Sequence, residues 1–280
     1  MIRRRRLLAA AVLAAATIGV GFAIAGVSGR GGNNEPTTTA ALAPRPFRII
    51  FPEGFTRLQM ADRVASVAQI AEHERGRAPQ LTRAGYLAAS AGTRVIPGFG
   101  RHPLEGFLFP ATYQFTARTP ARKLVADQLR AFERSWRSVN LRYARSKNLT
   151  PYDVLIIASM IEKEAVAPEE RAKIARVIYN RLHLRMSLGI DATIRYAFRL
   201  PGTESLRRSQ LEADNPYNTR KRVGLPPTPI ANPGLASIQA AAHPAEGDWL
   251  YFVRKPDKVH HFFTASERDF INYKNAHGFG

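Results

Sequence analysis

Between Leu155 and Asp191 the chain reads LIIASMIEKEAVAPEERAKIARVIYNRLHLRMSLGID, which sets one carboxylate, Glu164, at the end of an apolar helical stripe just where the chain breaks and restarts. Thr150 can cap that helix, Pro151 suits its first turn, and Asp153 completes a capping-box-like pattern. Val154, Ile157, Ala158, Ile161 and Glu164 then share one face at helical spacing. A carboxylate that continues a core-facing stripe is partly desolvated, which favours its protonated form. The negative end of a helix that stops near Glu164 pushes the same way, by about 0.3–1 kcal/mol. A general acid for glycoside cleavage needs its pKa lifted from about 4.3 toward 6, and these are the two simplest levers. On spacing alone, a surface Glu beside a fraying helix end fits equally well.

Glu162 is the nearest rival for the acid role. It stands two residues from Glu164, so on a helix the two carboxylates face different ways and are not expected to share a substrate atom. Asp191, with apolar Ile190 and Ile194 around it, either positions a substrate or holds a loop by a structural hydrogen bond. His243 precedes Pro244, and His260 and His261 precede aromatics, which raises a zinc question. No HExxH string answers it: His73-Glu74 is followed by Arg77 where the second histidine would stand. His243 therefore reads as a structural or cleft-lining residue. Gly98-Phe99-Gly100 is too little for a dinucleotide fingerprint, and no P-loop is present.

Several elements must position these groups. Phe47–Phe51 reads as a short strand, Pro52-Glu53-Gly54 as a turn, and the segment from Leu58 to Ile70 as a helix. Thr119 and Pro120 open a helix with Val125, Leu129, Phe132 and Trp136 on one face. Pro168, Glu169 and Glu170 restart the chain after Glu164, and Ile174, Val177, Ile178 and Leu182 form the next buried stripe, which fades near Ser187–Gly189. Gly224 to Gly234 is a shaped Pro/Gly loop, Leu235–Ala242 a short helix, and Trp249–Val253 and Val259–Phe263 two strands joined by a hairpin-like turn. Helices with interspersed short strands predict an α+β fold.

The chain has no cysteine, which excludes disulfides, a thiol nucleophile and Cys-based zinc sites. Arg3-Arg4-Arg5-Arg6 precedes an uncharged run from Leu7 to Val27 that would span about 31 Å as a helix. The expectation is an uncleaved single-pass anchor over 1–28 with its arginines cytoplasmic, then a linker over 29–46 rich in Gly, Asn, Thr, Ala and Pro. A signal peptide is the competing reading, disfavoured because its apolar region is usually only about 7–15 residues. The net charge is +19. On an exported body that excess suits an anionic surface such as headgroups or wall polymers, although arginine-rich usage alone also accounts for it. Nucleic acid is not expected as a partner: no RNP-type pattern, zinc finger or basic zipper occurs.

An ordered set of strings carries a resemblance. It comprises Glu105-Gly106-Phe107-Leu108-Phe109-Pro110, Ala158-Ser159-Met160-Ile161-Glu162-Lys163-Glu164, Glu170-Arg171, Tyr179-Asn180-Arg181-Leu182, Tyr217-Asn218-Thr219, Gly224-Leu225-Pro226-Pro227, Ile230-Ala231-Asn232-Pro233-Gly234, Ala241-Ala242-His243-Pro244-Ala245 and His261-Phe262-Phe263. Together they span roughly residues 105–265, which resemble the endolytic peptidoglycan lytic transglycosylases of the YceG-like family. The resemblance implies a shortened LysM-like α+β subdomain over 47–100, a mixed α+β catalytic domain over 101–280, and no cofactor or metal. It implies that Glu164 protonates the bond between N-acetylmuramic acid and N-acetylglucosamine, then deprotonates the muramoyl C6 hydroxyl to close a 1,6-anhydro ring. It makes Tyr217 and Asn218 cleft residues able to bind the N-acetyl group or stabilise developing charge, with an Asn-stapled turn as the equal alternative. Glycan strands, the membrane and cell-wall synthases are the implied partners. Two further readings remain: a wall-binding scaffold without catalysis, and a muramidase-type hydrolase whose second carboxylate is Asp191 or Glu204. Where family members often close with an acidic-His-Asn group, this chain has Glu267-Arg268-Asp269.

Overall fold

In the computed structural model, which describes residues 46–278, strand β1 (Phe47–Ile50) turns at Glu53–Gly54 into helix α1 (Arg57–Arg75). Thr56 and Gln59 cap α1 reciprocally, each side chain bonding the other's backbone N–H at 3.2 and 2.9 Å. Helix α2 (Arg83–Ala89), the hairpin of β2 (Thr93–Ile96) and β3 (Gly100–Pro103), and strand β4 (Thr112–Phe115) follow. Strand β4 returns to pair antiparallel with β1, Phe47 opposite Phe115. The partner strand of β1 thus lies beyond residue 100.

The rest is mostly helical: α3 (Ala121–Trp136), α4 (Arg142–Ser146), α5 (Pro151–Glu164), a 3-10 turn (Pro168–Glu170), α6 (Arg171–His183), α7 (Asp191–Phe198), α8 (Arg208–Leu211) and α9 (Leu235–Ala242). The hairpin of β5 (Tyr251–Arg254) and β6 (His261–Thr264) leads into α10 (Glu267–Ala276). Three two-stranded antiparallel sheets among these helices make the α+β class that the sequence predicts.

Helix α5 is the axis of the core. The capping box forms as its sequence suggests, Asp153 accepting from the Thr150 N–H at 2.8 Å and Thr150 from the Asp153 N–H at 3.1 Å. Every residue from Val154 to Ile161 is buried, not the one stripe alone. The reason is that α9, α6 and α7 all pack on it, so Leu155, Ile156 and Met160 on the other faces also leave water. Each such aliphatic side chain contributes about 1.5–3 kcal/mol. Ser159, the polar residue in this run, has its hydroxyl partnered on both sides, donating to the Ile156 carbonyl and accepting from the Ile230 N–H.

Asn232 ties three remote segments together. Its amide NH2 donates to the Phe55 carbonyl and to the Glu105 carboxylate, and its oxygen accepts from the Gly106 and Leu108 N–H groups, all at 2.9 Å. Gly106 permits the approach. Its φ is 91°, and a Cβ there would come within 2.6 Å of Pro229. The expected anchor over 1–28 and nearly all of the linker over 29–46 lie outside the described residues. Among the described residues no helix is long and apolar enough to cross a membrane.

Candidate active site

Glu164 is the last residue of α5; Ala165 leaves the helix in extended backbone (φ −74°, ψ 120°). The chain can stop there because Ala167 is also extended ahead of Pro168, as a residue preceding proline prefers. The freed end of α5 opens into a cleft of about 960 Å³. Its walls are the end of α5, the segment from Ser187 into α7, and the β5–β6 hairpin. The segment wall is pinned by Thr219, whose carbonyl and hydroxyl take the N–H groups of Gly189 and Ile190 at 2.9 and 3.0 Å. The hairpin wall is pinned by Arg181, which donates to the carbonyls of Leu250 and Leu188 at 2.6 and 2.7 Å.

Burial raises the Glu164 carboxyl to about 7, and the negative charge of Asp191 adds to the rise. Three groups act against them: the Arg254 guanidinium, the Ala192 N–H at the start of α7, and the Arg195 guanidinium. The consequence is a group balanced between its two states. Low polarity and Asp191 keep a proton on it, while two cations and a helix N-terminus support the carboxylate once that proton has gone. Arg254 also donates to the Glu164 carbonyl at 3.4 Å.

Asp191 lies in the same cleft as Glu164, as the sequence suggested for a substrate-positioning or loop-holding residue. One oxygen of its carboxylate takes two bonds from Arg220, at 2.8 and 2.7 Å, so it already holds the neighbouring loop. Glu162 also reaches the lining, but its carboxylate accepts from the Gly234 N–H at the start of α9, at 3.0 Å. There it faces Glu53, whose pKa is raised by burial first and then by Glu162. The two-residue offset thus separates Glu162 from Glu164 as helical geometry requires.

Tyr217 stands elsewhere. It lines a second open groove of about 970 Å³, bonds Thr228 at 2.8 Å, and rests its ring 5.1 Å from that of Tyr196. Tyr196, on α7, belongs to both hollows, as do Thr56, Gln59, Arg195 and Leu200, so the two lie side by side. Asn218 does not reach it: the side chain is buried and stapled to a turn, donating to the carbonyls of Leu211 and Ala213 and accepting from the Arg220 N–H. Its Asn-turn alternative is the arrangement found. His243 ends α9 at an exposed position outside both hollows.

Three site features had no such role in the sequence reading. Arg254 and Arg195 approach Glu164 from the closing hairpin and from α7. Glu105 is buried beside the second groove and is pushed up to about 7 by that burial, although it accepts from Arg57 N–H, Tyr196 hydroxyl and Asn232. Glu170 and His261 are both buried and bond carboxylate to Nδ1 at 2.7 Å, with His261 in the cleft lining.

A carboxyl held near neutrality in an open cleft, carried on an α+β scaffold, defines a class: a domain with an acid/base site. Residues 33–276 match the YceG-like family, and the chain belongs to that family. It is 41% identical over 159 residues to the endolytic murein transglycosylase of Bacillus subtilis, covering 55% of this chain and 43% of that protein. It is 32% identical over 257 residues to the endolytic murein transglycosylase of Streptococcus pneumoniae R6, covering 86% of this chain and 45% of that one. The chain thus spans about half the length of the curated relatives it matches. A crystal structure of a yceG-like protein from Listeria monocytogenes superposes with a TM-score of 0.67 at 29% identity, covering 81% of this chain and 76% of that one.

Proposed function

We propose that this protein is an endolytic lytic transglycosylase of nascent peptidoglycan, cutting between N-acetylmuramic acid and N-acetylglucosamine inside the strand and so limiting strand length. The observation that carries the reading is Glu164, a carboxyl raised to about 7 where the end of α5 opens into the cleft. In its protonated form Glu164 gives its proton to the glycosidic oxygen as the bond to the muramoyl C1 breaks. As a carboxylate it then takes the C6 hydroxyl proton while O6 closes on C1, which regenerates the acid and consumes no water. One group acting in both roles needs a pKa near the working pH, and the opposed influences on Glu164 provide it. A second open groove beside the cleft, with Tyr196 in the lining of both, supports cutting within a strand, since it offers further surface for sugars on the same strand.

The anchor belongs to the same reading, supported by Arg3–Arg6 ahead of the uncharged run to Val27; it sets the catalytic part outside the cytoplasm, near the synthases that make the strands. The test is release of soluble fragments from uncrosslinked peptidoglycan by the full chain, wild type beside Glu164→Gln. Cleavage by the wild type and a loss of at least about a hundredfold in the variant agree with the proposal. Equal activity in the two, or binding without cleavage by the wild type, contradicts it.

A further inference from the structure

Strand β6 carries a second oriented polar group into the Glu164 cleft. His261 is almost wholly buried, yet it lines the cleft. The Glu170 carboxylate accepts from the His261 backbone N–H at 3.0 and 3.1 Å and bonds Nδ1 at 2.7 Å. A carboxylate is an acceptor, so the proton on this edge of the ring sits on Nδ1. The ring cannot turn freely, since Phe252 meets it edge-on at 5.4 Å and Phe263 at 6.0 Å. Its other nitrogen, Nε2, bonds no described protein atom and is not among the buried polar atoms lacking a partner, so solvent reaches it where the residue lines the cleft.

The hairpin register gives that edge its address. Arg254 is the cross-strand partner of His261, and directly opposed residues of an antiparallel pair share a face. Arg254 is the residue that reaches the Glu164 carbonyl. Hence the face that presents Arg254 to Glu164 also presents His261. The pairing is costly to arrange by accident: Glu170 and His261 are far apart in sequence, and Glu170 is turned inward from the first turn after the break that follows Glu164.

From this geometry we infer that His261 is a substrate-contacting residue whose Nε2 accepts a hydrogen bond from a hydroxyl or amide N–H of the sugar bound beside Glu164, and that Glu170 is the positioning residue that sets its tautomer. The inference rests on the transglycosylase reading. Without the Glu170 carboxylate the ring would be free to carry its proton on Nε2, and the acceptor would be lost; an Asp-to-Asn change behind a catalytic-triad histidine acts in this way.

Asparagine and glutamine separate the two edges of the ring. The Asn amide nitrogen stands near the place of Nδ1, and the Gln amide near that of Nε2. His261→Asn keeps the bond to Glu170 and removes the acceptor; His261→Gln returns a polar atom to the cleft. The experiment measures fragment release, kcat and KM separately, and thermal stability for both variants and for Glu170→Gln in the full chain. The expected result is a fall of at least tenfold in kcat/KM for folded His261→Asn and Glu170→Gln, with His261→Gln recovering part of it. A folded His261→Asn with wild-type kcat/KM overturns the inference. So do losses in all three that merely follow their loss of folded protein. If His261→Asn does not fold, Glu170→Gln decides by the same criteria. Failure of the wild type to cleave is a different result, and it removes the transglycosylase reading itself.

Discussion

Replacing Asp191 by Asn removes the second-largest influence holding the proton on Glu164. The carboxyl stands at about 7 instead of 4.5, a preference for the protonated form worth roughly 3 kcal/mol. Burial is the larger cause and Asp191 the smaller, so the variant's carboxyl should fall below the wild-type value of about 7 while staying above the ordinary 4.5. Arg220, left without its carboxylate partner, acts in the same direction. The sign follows from the acid's role: cleavage begins from protonated Glu164, so kcat/KM should decline above its free-enzyme pKa. Wild type should therefore lose activity through about pH 7 and Asp191→Asn at lower pH, with little change at pH 5; a limb moved by one pH unit lowers the rate at pH 7 about fivefold. Arg254→Gln removes a cation that favours the carboxylate and should move the same limb upward. The assay is the initial rate of fragment release across pH 4.5–9 for the three proteins, with circular dichroism confirming that each is folded. A limb that stays in place in both variants, or moves the same way in both, refutes the electrostatic account of Glu164.

Glu105 should make stability pH-dependent. Its folded pKa is raised to about 7 by burial, so the stabilising proton is fully held below about 4.5 and its contribution is lost as pH rises to about 7, at a cost of roughly 3 kcal/mol. Glu105→Gln, which can still accept from the Arg57 N–H, should flatten that part of the melting-temperature profile between pH 5 and 8; an unchanged profile would show that Glu105 does not titrate there. Asn232→Ala strands two buried N–H donors and removes two donors of its own. A loss of about 4 kcal/mol and of about 10 °C in melting temperature is expected, measured by thermal denaturation. Thr150→Ala removes one half of the α5 capping box and should cost about 1 kcal/mol in urea unfolding.

The parts of the site that rest on local chemistry were legible in the sequence. Thr150, Pro151 and Asp153 mark the start of α5, and the Pro168 restart marks its end, so Glu164 at a helix terminus follows from neighbours. The short helix over Leu235–Ala242 and the closing hairpin were legible for the same reason, although both strands begin two residues later than expected. Helix α7 was not legible, because Ile190 offers no side-chain cap and the helix is short. Its N-terminal N–H at Ala192 nonetheless bears on Glu164. Nor does any local pattern bring Glu170 to His261 or Glu105 to Asn232; those pairs join segments remote in sequence and form only when the chain folds. Tyr217 and Asn218 are adjacent in sequence but diverge, one to the groove and one into a turn, since the backbone curls between them around the Asn218 amide.

The account's central claim is that a single carboxylate closes the muramoyl C6 hydroxyl on C1 without water. Digestion of uncrosslinked peptidoglycan in oxygen-18 water, followed by mass spectrometry of the new muramoyl ends, tests it most directly. The account predicts 1,6-anhydro ends that carry no label with the wild type and none of these ends with Glu164→Gln. Reducing ends that carry the label would contradict it, since they require a water nucleophile and a second group, such as Asp191, to activate it.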